Sequence, residues 1–450
     1  EKLTGGTLNI TVTAERPEND QVVAKLTVPA AEVDKAVAKA YRDIARKYAF
    51  QGFRRGRAPR PVIDGIVGRA AVLAQATEDL MNDVQPEMFN ELDIVPIGRP
   101  DYGEDSVAVV EHEDFSVTAT ISVPPTCELD SYDAPAINMP PDEPTDAEVE
   151  QQVEQLLSYH VTYEDDDTDR ACAEGDTVVV DAVDKEGADS LAGTDRQLTL
   201  DTNYLPKEYV EGIVGMRPGE TKDIEWTRSH GDHEHRIAVA VTLKGLKKAV
   251  EPELTDDFAK KNFGFDTVDA FKDAVKEEIG EDKVNTLPHL KEDRVVEAIG
   301  EHLQLEEVPE AYGNQVFNEL ANEVLSRLQR QGMSLDMYLA ARQIKSDEFI
   351  DDLRKQADER ARQSLALDAL ARHLDIEATE DDIKGEFENA GVKDVSKSMK
   401  EFTEGGQMPA IRESIRRTKA VRWLVENATV TVVDEIAERR AEAEERQDAE

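Results

Sequence analysis

The residues best able to do chemistry in this chain sit together, at Gly52-Phe53-Arg54-Arg55-Gly56-Arg57-Ala58-Pro59. Four arginines, Arg54, Arg55, Arg57 and Arg60, fall within seven positions of a chain whose formal net charge is −44. A guanidinium pairs phosphate or carboxylate bidentately through its planar fork. A body this acidic is repelled by a polyanion over most of its surface, so a local reversal of sign is the physical form of a single docking point. Gly52 and Gly56 permit the backbone of a tight loop, and Pro59 suits the first turn of a helix that follows. An ordinary solvated basic turn would have the same composition.

Other constellations carry less. Ser229-His230-Gly231-Asp232-His233-Glu234-His235 holds three histidines and two acids, and strand alternation would put His233 and His235 on one face. A metal site needs a defined ligand count and geometry. No second ligand group accompanies these residues, and a polar loop tip accounts for them, so no metal is expected. His112, His160, His289, His302 and His373 show no partner pattern. No Ser-His-Asp order, Walker loop or dinucleotide fingerprint occurs, and Gly5-Gly6 lacks a phosphate-binding context, which argues against an ATP-driven machine and for no cofactor. Cys127 and Cys172 lack metal-type spacing and read as free thiols.

These residues must be positioned by several domains, because 450 residues exceed one core. Hydrophobic content of 39% suffices to fold, while 33% charged and 5% aromatic residues point to elongated, solvated parts. No run approaches eighteen apolar residues, so no membrane span is expected, and the opening residues lack a signal-peptide core. The expected location is the cytoplasm.

Leu8, Ile10 and Val12, then Val22, Ala24, Leu26 and Val28, alternate on either side of a polar break at 16–20, as an antiparallel pair does. Val33, Val37, Ala40, Tyr41, Ile44 and Tyr48 then form a helical stripe ending at the basic loop. Two further helices, about 60–68 and 70–92, and a strand at 115–123 complete an α+β domain. Pro124, Pro125, Pro135, Pro140, Pro141 and Pro144 mark a stiff, extended linker. Thr145-Asp146-Ala147-Glu148 is a capping box that opens a helix to about Tyr159. Strands return at Val178–Val180, Leu198–Leu200 and Ile237–Leu243. Beyond Lys248 the chain is helical, with stripes at Phe317, Leu320, Val324, Leu328, at Phe349, Leu353, Ala357, Ala361, Leu365, and at Ile411, Ile415, Val421, Val425. Pro288 is expected to break or kink the helix between about 267 and 304. The residues from Asp434 read as a charged helix or frayed end.

The octamer resembles the ribosome-docking signature Gly-Phe-Arg-x-Gly-x-x-Pro of the bacterial trigger factor family, matching every fixed position. Gly212-Ile213-Val214-Gly215-Met216-Arg217-Pro218-Gly219-Glu220 resembles the Gly-x-x-Gly-Met-x-x-Gly-Glu turn of FKBP-type prolyl isomerases. It lies where that family inserts such a domain. The resemblance implies a multidomain α+β protein: a ribosome-binding domain at 1–125, a linker and connecting helix at 126–162, an FKBP-like antiparallel β domain at 163–248, an all-helical chaperone body with arms at 249–433, and a charged tail at 434–450. It implies a chaperone that receives nascent polypeptides at the ribosomal exit tunnel. Gly52, Phe53, Arg54, Arg55, Gly56, Arg57 and Pro59 would form the ribosome-binding set, with Phe53, Arg54 and Arg55 contacting ribosomal protein and rRNA and Gly52 and Gly56 holding the loop shape, and a homodimer of the free protein is left open.

Prolyl isomerisation needs no nucleophile or metal, only an apolar pocket that binds the twisted amide better than the planar one. Against the FKBP pattern this chain is short of rings. Ala182, Ser190 or Leu191, and Val239 stand where aromatic residues are usual, leaving a pocket of Tyr209, Leu205, Ile213, Trp226 and Val239. Two readings stay open: a weak isomerase, or a fold retained only as an apolar surface. Met333, Met337, Leu320, Leu328 and Phe349 are candidates for client contact, or for packing between helices. A free FKBP-type prolyl isomerase and holdase, not attached to ribosomes, is the competing function.

Overall fold

The computed structural model describes residues 10–18, 20–103, 108–230, 233–342 and 344–448, with the backbone alone at 228–230, 233–235, 444, 447 and 448. The chain forms two compact units. One comprises Glu1–Asn138 and His289–Thr431, the other Met139–Pro288 and Val432–Glu450.

In the first unit, β1 (Thr11–Glu18) and β2 (Gln21–Val28) form an antiparallel hairpin. The helices α1 (Ala30–Lys47), α2 (Arg60–Ile66) and α3 (Arg69–Leu92) follow, and β3 (Phe115–Ser122) pairs antiparallel with β2, giving the order β1-β2-β3. Alternation dictates which face is buried. Val22, Ala24, Leu26 and Val28 are all buried, and Leu26 and Val28 pack with Val33, Val37, Ala40, Tyr41 and Ile44 of α1. Tyr48 departs from the expected stripe. The helix stops at Lys47, and Tyr48 adopts an extended backbone that turns its ring outward, leaving it 50% exposed.

The proline-rich segment is packed rather than a free spacer. Cys127, Leu129, Ile137 and Met139 are buried, and β4 (Ala136–Met139) lies within it. Leu129 bridges Leu303, Tyr132 stacks on His373 at 4.0 Å, and Asp130 meets His302 Nδ1 at 2.6 Å. Its apolar side chains supply the reason: extended backbone with residues to bury adheres to a helical surface.

In the second unit, α4 (Asp146–Ser158) opens on the expected capping box. The Thr145 N–H donates to Glu148 Oε2 at 2.8 Å and the Glu148 N–H to Thr145 Oγ1 at 3.2 Å. A five-stranded antiparallel sheet follows, of β5 (Thr162–Asp166), β6 (Thr177–Glu186), β7 (Gly193–Thr199), β8 (Thr221–His230) and β9 (His233–Val250), with α5 (Lys207–Ile213) before β8. The order is β5-β9-β6-β7, and β8 also pairs with β9. The glycine-rich turn before β8 is structural: Gly215 and Gly219 both take φ +88°, and the Gly219 N–H donates to the Leu243 carbonyl at 2.6 Å.

Next come α6 (Asp256–Asn262) and α7 (Val268–Glu301). α7 runs through Pro288 without a break. A central proline costs roughly 3 kcal/mol, and here both halves are held independently, by buried Phe271 and Val275 on one side and Val295 and Ile299 on the other. The two units nonetheless divide at this proline.

The remaining helices of the first unit are α8 (Glu310–Arg330), α9 (Leu335–Arg342), α10 (Ser346–His373), α11 (Glu380–Asn389), α12 (Val395–Glu404) and α13 (Met408–Asn427). The α10 stripe is buried from Leu353 through Leu365. On α13 the buried residues are Met408, Pro409, Ile415, Ala420 and Leu424, with Ile411, Val421 and Val425 only half-buried. β10 (Thr429–Val432) pairs with β4. The C-terminal residues form α14 (Glu435–Asp448), whose Arg440 reaches Glu150 at 3.0 Å and Glu154 at 2.6 Å on α4. Among the described residues no helix is long and apolar enough to cross a membrane.

One close approach is decisive for the first unit. The turn between α12 and α13 seats Gly406 on α3, where a Cβ would stand 2.8 Å from Pro86 Cα, and Gly406 has φ +69°. Gly391 has φ +71° with open space around its Cβ position. Gly391→Ala should therefore cost only the left-handed strain of roughly 1–2 kcal/mol. Gly406→Ala adds overpacking, for a total of roughly 2–5 kcal/mol. Equal losses for the two variants in urea unfolding would show that the Pro86 contact contributes nothing.

Candidate functional site

The basic loop is two consecutive four-residue turns. The Phe53 N–H donates to the Phe50 carbonyl at 3.0 Å, and the Arg57 N–H to the Arg54 carbonyl at 2.9 Å. Gly52 (φ +84°) and Gly56 (φ +78°) each occupy the third position of their turn, where a positive φ favours glycine. The four-residue spacing of the two glycines is thus the length of one turn. Phe50 is buried in the core, while Phe53, three residues on, is 42% exposed. The Gly56 N–H donates to the Ala45 carbonyl of α1 at 2.8 Å, so the second turn is fastened to the helix.

The charges divide by role. Arg54 and Arg57 are exposed, with no side-chain partner among the described residues, and Arg55 donates to the Lys47 carbonyl at 3.4 Å. Arg60 behaves differently from its neighbours in sequence. It pairs with Glu111 at 2.8 Å and lies over the Tyr41 ring at 4.5 Å, so it serves the domain rather than the loop. The Tyr41 hydroxyl in turn donates to Asp64 at 2.6 Å, and burial pushes its pKa up to about 12. Pro59 is the N-cap of α2, with extended backbone, and Pro61 takes the first helical turn in its place. The cap position suits Pro59 because a proline disfavours helical backbone in the residue before it, here Ala58.

The five residues assigned to an isomerase pocket come together in one apolar cluster. Tyr209, Ile213 and Val239 are closed from solvent, while Leu205 and Trp226 are half-buried at its edge. The Tyr209 and Trp226 ring centroids lie 6.4 Å apart. Ala182 and Val239, which replace rings, are core residues, and Leu191 packs beside them.

The Tyr209 hydroxyl is buried without a hydrogen-bond partner among the described residues, and desolvation raises its pKa. An unsatisfied buried hydroxyl costs about 1–3 kcal/mol. Tyr209→Phe should accordingly stabilise the domain by roughly 1 kcal/mol in thermal unfolding and leave any isomerase rate unchanged. A drop in that rate would place the hydroxyl on the substrate. The histidines weighed as metal ligands, His230, His233 and His235, have side chains outside the described residues, as do Gly231 and Asp232 altogether.

In the helical body, Leu328, a candidate for client contact or for packing between helices, is buried, while Leu320, Met333 and Phe349 are half-buried. Met337 is 61% exposed. Leu325 and Ile350 are also exposed; periodicity missed them because they lie off the stripes.

Residues 10–156 match the family model of bacterial trigger factor protein, and residues 267–426 match that of its C-terminus. A trigger factor of Lysinibacillus sphaericus is 31% identical over 427 residues, covering 93% of this chain and 99% of its own. The chain belongs to the bacterial trigger factor family. The trigger factor of Carboxydothermus hydrogenoformans is likewise 31% identical, over 93% of this chain and 99% of its own. A solved trigger factor chaperone, described for promiscuous substrate recognition in folding and assembly, is 19% identical over 92% of this chain and 99% of its own, with a TM-score of 0.36. As a trigger factor the protein is a ribosome-associated chaperone of multidomain α+β architecture.

Proposed function

We propose that the Gly52–Pro59 loop is the ribosome dock of this chaperone. Phe53 enters an apolar recess of a protein surface beside the exit tunnel, and Arg54, Arg55 and Arg57 pair with phosphate or carboxylate around it. One observation carries the reading: a double turn shaped by Gly52 and Gly56 presents the exposed Phe53 ring among arginines that have no carboxylate partner among the described residues. The chain as a whole carries a formal charge of −44, so its body outside this loop is repelled by rRNA, which confines contact to this point and keeps it reversible. Released nascent segments meet exposed Leu325, Met337 and Ile350, whose weak apolar contacts need no ATP. The protein works in the cytoplasm, where ribosomes and their emerging chains are.

The second unit adds a prolyl isomerase fold of low activity. Its closed cluster around Tyr209 favours a shallow apolar surface, at Leu205 and Trp226, over a deep pocket. Two measurements test these readings separately. Co-sedimentation with bacterial ribosomes should place the protein in the pellet at low salt and release it as salt rises. A supernatant protein at every salt concentration would leave an unattached folding factor. On a short proline peptide, the expected acceleration over the uncatalysed rate is small, and a fast isomerase would contradict the closed core.

A further inference from the structure

We propose that the last turns of α1 form the RNA-facing half of the dock, with Arg42, Arg46 and Lys47 taking the phosphodiester backbone of ribosomal RNA. The inference rests on the loop being the dock. Three contacts make the end of α1 and the loop one surface. The Gly56 N–H donates to the Ala45 carbonyl at 2.8 Å, and the Arg55 guanidinium donates to the Lys47 carbonyl at 3.4 Å. A Cβ built on Gly56 would stand 3.4 Å from Arg46 Cγ, so the Arg46 stem lies along the second turn.

All three cations are exposed, and none has a carboxylate within ion-pair distance among the described residues. Lys47 instead lies 5.7 Å from the centre of the outward-turned Tyr48 ring. That arrangement is notable in a chain with 97 acidic against 53 basic residues. Elsewhere on the same domain, Arg60 and Arg69 share Glu111 at 2.8 and 2.9 Å, and Lys39 holds Asp83 at 3.0 Å. Asp43 is the one carboxylate among residues 42–57.

A helix C-terminus welcomes cations in its last turn, which would account for Arg46 and Lys47. It does not account for Arg42, or for the continuation of the charge into Arg54, Arg55 and Arg57. Arg42 and Arg46 are i,i+4 neighbours, with Cβ atoms about 5–6 Å apart. Six exposed cations with no carboxylate partner among the described residues match the repeated charge of a sugar–phosphate strand better than they match a single protein carboxylate. Phe53 and the helix end thus divide the work: the ring meets protein and the cations meet RNA.

The test is equilibrium binding of the full chain to purified ribosomes between about 50 and 200 mM salt. For Arg42→Gln, Arg46→Gln, Lys47→Gln combined, the slope of log affinity against log salt should shrink by about 2–3, since each phosphate contact contributes roughly 0.7–0.9. The lysine variant Arg42→Lys, Arg46→Lys should retain the wild-type slope, which separates lost charge from lost folding. Phe53→Ala should weaken binding at the same slope. An unchanged slope in the glutamine variant, with or without weaker binding, overturns the proposal while leaving the loop as the dock. Wild-type protein that binds at no salt concentration overturns the dock itself, and the proposal with it.

Discussion

A chain carrying Phe53→Ala, Arg54→Ala and Arg55→Ala together should remain in the supernatant when the unaltered protein pellets with ribosomes. The expected loss of affinity is at least about a hundredfold. Truncating a central aromatic anchor alone costs roughly 2–4 kcal/mol, and about 1.4 kcal/mol is a factor of ten. Removing two arginines takes away charge-assisted contacts in addition. The folded state should hardly notice. Phe53, Arg54 and Arg55 are exposed, the two turns are closed by backbone hydrogen bonds, and substitutions of this kind usually fall within about 0.5 kcal/mol. Thermal unfolding therefore serves as the control. If the variant pellets as the wild type does, the contact lies elsewhere and the loop is an ordinary basic turn.

The largest effect on stability is expected at Lys283. Its ammonium pairs with Glu148 at 2.6 Å and donates to the carbonyls of Pro141 and Glu143 at 2.7 and 3.1 Å. The two side chains are only 9% and 11% exposed. One lysine of α7 thus ties the proline-rich segment to the capped start of α4. Lys283→Met would leave a carboxylate and two carbonyls buried without this donor, a loss of roughly 3–5 kcal/mol. Amide exchange across Asp146–Ser158 should accelerate by about two to three decades. The double variant Lys283→Met, Glu148→Gln should recover part of the loss, because no uncompensated charge remains. A single variant that exchanges like the wild type would mean that water already reaches this pair.

What could be read before the fold was known shares one property: it is set by chemistry over three or four consecutive residues. The reciprocal hydrogen bonds of Thr145 and Glu148 were legible because a capping box is a fixed i,i+3 geometry. The octamer was legible as a glycine-shaped loop for the same reason, since a positive φ at the third place of each turn selects glycine. Alternation assigned Val22, Ala24, Leu26 and Val28 to one buried face because a strand has a period of two. Periodicity failed at Tyr48, where the stripe continues by one residue beyond the helix that carries it.

The tertiary structure decided the rest. Four arginines in seven positions look equivalent as a string, but Glu111, fifty-one residues away, claims Arg60 and leaves Arg54 and Arg57 to solvent. Arg42, Arg46 and Lys47 join the loop only because its second turn folds back onto Ala45. Tyr209 reads as the surviving ring of a pocket, yet it is closed inside an apolar cluster, its hydroxyl without a partner among the described residues. Gly406 carries its meaning through Pro86, and Lys283 through Glu148 and two linker carbonyls. By itself the sequence determined the turns, caps, strand faces and helix stripes, because backbone geometry and hydrogen-bond reach act within a few residues. Which charges stay unpaired, which rings stay open and where backbones touch depend on residues tens to hundreds of positions apart, and only packing brings those together.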